Sequence, residues 1–243
     1  MSALHMVEIH FSLPDLMRFL KSQELLSLEP HDDMGYGLHA WLGAAFGPLA
    51  PKPWRLFMDQ RRPPRILGYT QHTAAELRAR LQEFGDPAVL AVCPAPEQMI
   101  HSKEMPRWQA GRRLGFQVLC CPVGRKSGTG IEKDFFLIHA DNGRPGSLSR
   151  EQVYCQWAKE RLERNGAATV LRIRLAGFRL VRQTRRTGKA PERTLRASLT
   201  RPQALLDGEM VVHNPDSFTA LLANGIGRHK AFGYGMILLR PPS

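Results

Sequence analysis

Asn224-Gly225-Ile226-Gly227-Arg228-His229-Lys230-Ala231-Phe232-Gly233-Tyr234-Gly235-Met236 is the stretch on which the reading of this chain turns. Four glycines bracket a basic triplet, and the apolar run Ile237-Leu238-Leu239 follows. Glycine accepts positive φ and lets another backbone come close. Successive backbone N–H groups in such a loop can form a nest for anions. Arg228 and Lys230, either side of His229, add positive charge, so Gly225, Gly227, Gly233 and Gly235 are expected to cradle a phosphate chain. The spacing is not that of a G-x-x-x-x-G-K-[ST] loop, and the segment does not follow a strand and open a helix as a dinucleotide fingerprint does. Spacing alone leaves a second reading open, a plain glycine-rich turn before a last strand.

Charge points the same way as the loop. The chain has 243 residues, 43% of them hydrophobic, enough for one large core or two small ones. Lys plus Arg number 34 against 22 Asp plus Glu, a formal net charge of +12. An excess of this size suits a polyanion, most often nucleic acid. The basic residues cluster at Arg107 to Arg113, which includes Arg112 and Arg113, at Arg125-Lys126, and at Arg182, Arg185, Arg186, Lys189, Arg193 and Arg196. The last run carries almost no acid and is expected to be a mobile segment. Trp108, inside the first cluster, is a candidate for stacking on a base or for simple packing.

The four cysteines, Cys93, Cys120, Cys121 and Cys155, form no C-x-x-C pair, so no metal site is expected. Cys120 and Cys121 lie in an apolar run and read as core thiols of a reducing, cytoplasmic compartment. No apolar run reaches the roughly 18 residues of a membrane span, and Met1 to Phe11 alternates like a strand rather than a signal peptide. No cofactor motif is present.

Periodicity supplies the elements. Leu4 to Ser12 alternates as a strand with Val7, Ile9 and Phe11 on one face. Pro14 to Leu25 reads as a short helix, and Asp32 or Asp33 is expected to cap a second helix that runs to Phe46, where Gly47-Pro48 stops it. Pro53 to Met58 and Arg65 to Thr70 read as strands. Thr73 to Phe84 reads as an amphipathic helix with Leu77, Leu81 and Phe84 on one side. Leu114 to Val123 and Phe135 to His139 read as strands, with a turn at Ser127 to Gly130 and a linker at Asp141 to Gly146. Ser149 to Arg164 reads as a helix with a capping box through Gln152 and an end at Gly166. Thr169 to Arg182, Gln203 to His213 (broken at Asp207-Gly208) and Ala231 to Arg240 read as strands, with a helix over Asp216 to Asn224. The order strand, helix, strand, strand, helix, strand occurs twice. It predicts an α+β chain of two tandem ferredoxin-like (RRM-like) βαββαβ domains, residues 1–143 and 144–243.

The glycine-rich tail resembles the C-terminal loop of CRISPR-associated repeat-RNA (pre-crRNA) endoribonucleases of the RAMP superfamily, and the CasE-like subgroup most. Leu114-Gly115-Phe116-Gln117-Val118 with Pro122 is similar to its middle strand, Ser149 to Gly166 to its second-domain helix, and Leu205 to Val212 to the strand before the loop. The subgroup's Tyr-x-x-His pair on the first helix is matched by Tyr36-x-x-His39. The resemblance implies cleavage of repeat hairpins in the CRISPR transcript to mature guide RNA, retention of the product hairpin, and membership of an interference complex with other CRISPR effector subunits. A monomer on the RNA is expected, in a type I-E or, given the unusual Pro48 to Pro53 loop, a type IV system.

The chemistry fits these residues. RNA carries its own nucleophile, the 2′-hydroxyl beside the scissile phosphate. Cleavage then needs a base, an acid and a cation, with no metal-bound water. Tyr36 and His39, at i and i+3, share a helix face, and histidine titrates near neutrality, so His39 can serve as base or acid. Arg18, Lys52, Arg55 and Arg61 are candidate cations. The basic clusters suit phosphates of an A-form stem. Three rivals remain: a non-catalytic repeat-RNA-binding subunit, a DNA-binding or ribosome-associated ferredoxin-like protein, and, weakest for want of a cofactor motif, an unrelated metabolic enzyme.

Overall fold

The computed structural model describes residues 3–25, 34–59, 61–125, 132–142, 148–187 and 195–242, the side chains of 142 and 183–198 excepted. Strand β1, His5–His10, buries Val7 and Ile9 on one face, as the alternation predicts. Helix α1, Leu13–Ser22, starts at Ser12, whose Oγ accepts from the Asp15 N–H, and buries Leu16, Phe19 and Leu20. Helix α2, Gly35–Phe46, begins after Met34 with no side-chain cap, and Gly47 ends it at φ 54°. The expected caps Asp32 and Asp33 lie outside the described residues. Strands β2, Trp54–Phe57, and β3, Arg65–Thr70, follow as read. Helix α3, Ala74–Phe84, opens on a Thr73/Glu76 capping box, a device worth about 1 kcal/mol. Its last aromatic departs from expectation: Phe84 is exposed, with the Arg80 guanidinium 3.6 Å above its ring. Three short elements escaped the sequence reading, α4 (Pro87–Val92), α5 (Pro96–Met99) and β4 (Ile100–Glu104). Each is too short for a period to show.

These strands form an antiparallel sheet of order β2-β3-β1-β4. In chain order that is four-one-three-two, the arrangement of the βαββαβ fold. Its core joins Val7, Ile9 and Ile66 of the sheet to Leu16, Phe19, Leu38, Trp41, Leu77 and Leu81 of the helices.

The second sheet repeats the order. Strand β5 is Arg113–Cys120, and the hairpin β6 (Val123–Arg125) and β7 (Glu132–Asp134) follows it. Phe135–Asn142 is helix α6 rather than a strand. The Asp134 carboxylate accepts from the Phe136 N–H at 2.9 Å and so opens a helical turn that the apolar run alone conceals. Helix α7, Arg150–Leu162, has the expected Ser149/Gln152 capping box and buries Val153, Trp157, Ala158 and Leu162, and Tyr154 in addition. Strands β8, Ala168–Thr187, and β9, Leu195–Val212, are longer than read. The basic run is therefore strand at both ends; residues 188–194 lie outside the described residues. Helix α8, Pro215–Asn224, and strand β10, Ile237–Arg240, close the chain. The last strand starts six residues later than expected because Lys230–Phe232 forms a 3-10 turn. Sheet order is β10-β5-β9-β8, again four-one-three-two.

The chain divides into two compact units, Met1–Pro106 with Arg182–Leu199 and Ala231–Gly233, and Arg107–Val181 with Thr200–Lys230 and Tyr234–Ser243. The boundary expected near residue 143 falls instead at Pro106/Arg107, because β5 is hydrogen-bonded to β10 and β9 and belongs to the second sheet. None of the four cysteines forms a disulfide, and Cys93, Cys120 and Cys121 are buried.

The break expected at Asp207-Gly208 is absent: β9 keeps register with β5 from Val211 to Ala204. Gly208 is there for space. A Cβ on it would lie 2.1 Å from the Arg172 carbonyl oxygen of β8. Gly208→Ala should therefore lower the urea midpoint, with a loss of about 1–3 kcal/mol from forced strand separation; an unchanged midpoint would contradict this packing.

Candidate active site

The register of α2 decides which side chains it displays. Leu38, Trp41, Leu42 and Ala45 follow the i, i+3, i+4, i+7 pattern and are buried. Tyr36 and His39 are left together on the opposite face, half-buried and exposed respectively. They sit on the second helix rather than the first, since both α1 and α2 lie between β1 and β2. At Gly37 a Cβ would come within 2.7 Å of Leu20 Cδ1, so glycine there allows α2 to lie close on α1.

Both rings meet Phe232. Its ring centroid lies 5.1 Å from that of His39, edge-on at 86°, and 6.0 Å from that of Tyr36. Two neighbours fix Phe232. The buried Trp54 indole N–H donates to the Ala231 carbonyl at 3.1 Å. Gly233 has φ +89°, and a Cβ on it would stand 2.9 Å from Trp54 Cζ3. A side chain at Gly233 would meet both a left-handed backbone, disfavoured by about 1–2 kcal/mol, and the indole ring. Ala231-Phe232-Gly233 is thus laid on Trp54, with the phenyl ring turned to Tyr36 and His39.

The His39 imidazole is held below its ordinary pKa, first by desolvation and then by the Lys52 ammonium. The residue is exposed overall, but the ring itself stands against Phe232 and loses part of its hydration. Neutral imidazole, a proton acceptor, is the form favoured at pH 7. Of the other cations considered, Arg18 pairs with Asp15, Arg55 lies 5.0 Å above Phe57 and Arg61 is exposed. Lys52 is the one whose charge acts on His39.

The other glycines of the tail answer to packing. Gly225 (φ 59°) ends α8, its N–H donating to Leu221 O at 2.8 Å. Gly227 (φ +77°) leaves room for Trp157 Cη2, which a Cβ would approach to 2.8 Å. Gly235 (φ +79°) would put a Cβ 2.2 Å from Ile226 O. The Ile226 N–H donates to Gly235 O at 3.0 Å, and the Gly235 N–H to Leu119 O at 2.7 Å. Those two donors are therefore spent on the fold.

The basic triplet is held in part by a carboxylate that the sequence reading missed. Glu132 Oε1 accepts from Arg228 Nε at 2.6 Å, Oε2 lies 2.9 Å from His229 Nε2, and Arg201 is 3.3 Å away. Burial pushes the Glu132 carboxyl up, but His229 and Arg228 outweigh it and the net direction is down. His229 is lowered by burial more than Glu132 raises it. Glu132 sits beside a segment read as a turn, and an acid flanked by lysine gives no sign of a distant partner.

The remaining predicted residues divide clearly. Arg113 donates through Nε to Glu209 at 2.8 Å and, with Arg172, neutralises this fully buried carboxylate. Arg112 lies 5.8 Å over Trp108, which is buried edge-on against Phe218 and serves as a packing anchor. Arg125 and Arg182 are exposed on β6 and β8. Arg185 and Arg186 are in β8, their side chains outside the described residues, as are Lys126, Lys189 and Arg193 altogether. Among the described residues no group of three or more His, Cys, Asp or Glu could hold a metal ion. No helix among them is long and apolar enough to cross a membrane.

A family model described as CRISPR associated protein matches residues 19–241. The chain belongs to the CRISPR associated protein family. No curated protein matches it in sequence. Among solved structures, the CRISPR endoribonuclease Cse3 bound to a 19 nt RNA is 19% identical, with TM-score 0.66 over 98% of this chain and 100% of the other. Thermus thermophilus Cse3 bound to an RNA representing a pre-cleavage complex is 18% identical, with TM-score 0.62 over 98% and 100%. A chain of a CRISPR RNA-guided surveillance complex, pre-nicking, is 15% identical, with TM-score 0.53 over 97% and 100%. At these identities the likeness establishes the fold, two ferredoxin-like units in tandem.

Replacing Glu132 with Gln removes a carboxylate that raises His229. The His229 titration midpoint, followed by NMR, should fall further below 6.5 than in the parent protein. A midpoint that rises or stays put would show that Glu132 does not set the charge of this triplet.

Proposed function

We propose that this chain is a metal-independent endoribonuclease that cuts CRISPR repeat hairpins to mature guide RNA and stays on the product hairpin within an effector complex. One observation carries the reading: Tyr36 and His39 share a helix face against Phe232 of the glycine-rich loop, with the Lys52 charge acting on His39. The net charge of +12 suits a polyanionic substrate. The RNA bound in the Cse3 structures of the same fold and the surveillance-complex chain support the substrate class and the assembly.

In this mechanism neutral His39 takes the proton of the 2′-hydroxyl, which attacks the adjacent phosphorus. The P–O5′ bond breaks, leaving a 2′,3′-cyclic phosphate on one fragment and a 5′-hydroxyl on the other. Tyr36 donates toward the leaving 5′-oxygen, and Lys52 offsets charge on the phosphorane. Phe232 keeps the imidazole ring in place and partly dry. A depressed pKa serves a base well, since the acceptor form is then populated at neutral pH.

His39→Ala should slow cleavage of a labelled repeat hairpin by about 10²- to 10⁴-fold, with hairpin affinity changed little. Cleavage should persist in EDTA and leave a cyclic or 3′-phosphate end. Full cleavage by the variant, or strict dependence on Mg²⁺, would remove the proposal.

The pH profile tests the protonation state. The acid limb of kcat/KM reports the free enzyme's base, so its midpoint should lie below 6.5. Lys52→Met removes one of the two causes of depression and should move that midpoint up, toward but not to 6.5. A downward movement would reverse the sign of the argument.

A further inference from the structure

The second unit holds a basic cavity apart from Tyr36 and His39, built by its own residues. Its volume is about 590 Å³, within the range of small-ligand sites. The C-terminal end of α7, one face of α8, the β6 strand and the segment Gly225–Arg228 line it. Five cations line it, Arg125, Arg161, Arg164, Lys230 and the Glu132-paired Arg228, and no Asp or Glu is among the lining residues. A cavity of that balance repels carboxylates and draws phosphate.

Its floor is aromatic. The Arg161 guanidinium is stacked 4.3 Å over Trp157 and 5.4 Å from Phe135, and is anchored by a 2.7 Å hydrogen bond that Nη1 donates to Trp157 O. Its nearest carboxylate, that of the exposed Glu160, is 4.0 Å away. A guanidinium so fixed presents a planar, pre-organised donor edge. Beside it, Asn165 takes φ 57°, a conformation asparagine tolerates, and is exposed at the wall. Its amide carries a donor and an acceptor, the pair needed to meet a base edge. The Trp157 indole N–H, in the same wall, is buried and has no acceptor among the described residues. Nothing in the cleavage chemistry above uses Arg161, Arg164 or Asn165.

Resting on the RNA reading of the preceding section, we infer that this cavity is a subsite for an unpaired nucleotide next to the repeat stem. Arg161 and Arg164 take its phosphate and Asn165 meets its base. The size fits one nucleotide with its flanking phosphate and not a duplex, whose grooves demand an extended surface. The subsite fixes where the stem ends on the second unit.

The test uses the full chain and two probes, the same stem–loop RNA blunt or with a short unpaired extension, read by fluorescence anisotropy across a salt series. The variants are Arg164→Glu, exposed and so harmless to folding, and Arg161→Met, which keeps the packing on Trp157. Each should weaken binding of the extended RNA about tenfold, reduce its salt slope by about one, and leave the blunt stem–loop nearly untouched. Equal weakening of both probes would assign the cavity to the stem and overturn the subsite. No change with either probe would also overturn it. A parent protein that binds neither RNA would overturn the RNA reading itself, whereas binding of both with no cleavage would sink only the catalytic assignment.

Discussion

One buried indole organises the candidate active site. Trp54 sits at the start of β2, donates to the Ala231 carbonyl, and lies where any side chain at Gly233 would collide. The hydrogen bond contributes about 1 kcal/mol net. Its larger consequence is positional, because it fixes the backbone on both sides of Phe232. Phe232 then covers the face of α2 on which Tyr36 and His39 stand. The glycine pattern is therefore a packing requirement that doubles as a positioning device. Remove the fit between Gly233 and Trp54, and the imidazole loses the ring that desolvates it.

Electrostatics divides the basic residues into two classes. Arg113 and Arg172 are committed to the buried carboxylate of Glu209, and Arg228 and His229 to Glu132. Taking away such a carboxylate leaves unbalanced charge, while keeping it adds little stability on its own. Others are not held by a buried carboxylate among the described residues: Arg125 is exposed on β6, and Arg161 is stacked on aromatic rings beside the exposed Glu160. The 34 Lys and Arg residues thus overstate the cations available to a polyanion, because several of them are paired inside the fold.

The fold was legible where the period was strong. Val7 and Ile9 alternating, Leu16 with Phe19 and Leu20, and the Ser149/Gln152 box each named an element that the structure contains. The doubled strand–helix order led to the ferredoxin-like pair. The boundary was misplaced because Leu114 to Cys120 reads as a strand without saying which sheet it joins; only the pairing with β9 and β10 decides that. Phe135 to His139 misled because four apolar residues and a histidine carry no period, and the Asp134 cap precedes them unmarked. At the site, the i, i+3 spacing of Tyr36 and His39 could be read directly. Their contact with Phe232 could not, since 193 residues separate His39 from it and no local pattern encodes a long-range stack. Glu132 was hidden for the same reason.

The account rests on the His39 ring reaching the sugar hydroxyl beside the cut. The most direct measurement is a crystal structure of the full chain with a repeat hairpin made uncleavable by a 2′-O-methyl group at the scission nucleotide. The expected result places an imidazole nitrogen of His39 within about 3–4 Å of that 2′-oxygen, a separation compatible with proton transfer once the methyl is absent, with Phe232 still packed on the ring. A scissile phosphate lying far from α2, with His39 facing only protein or solvent, would contradict it.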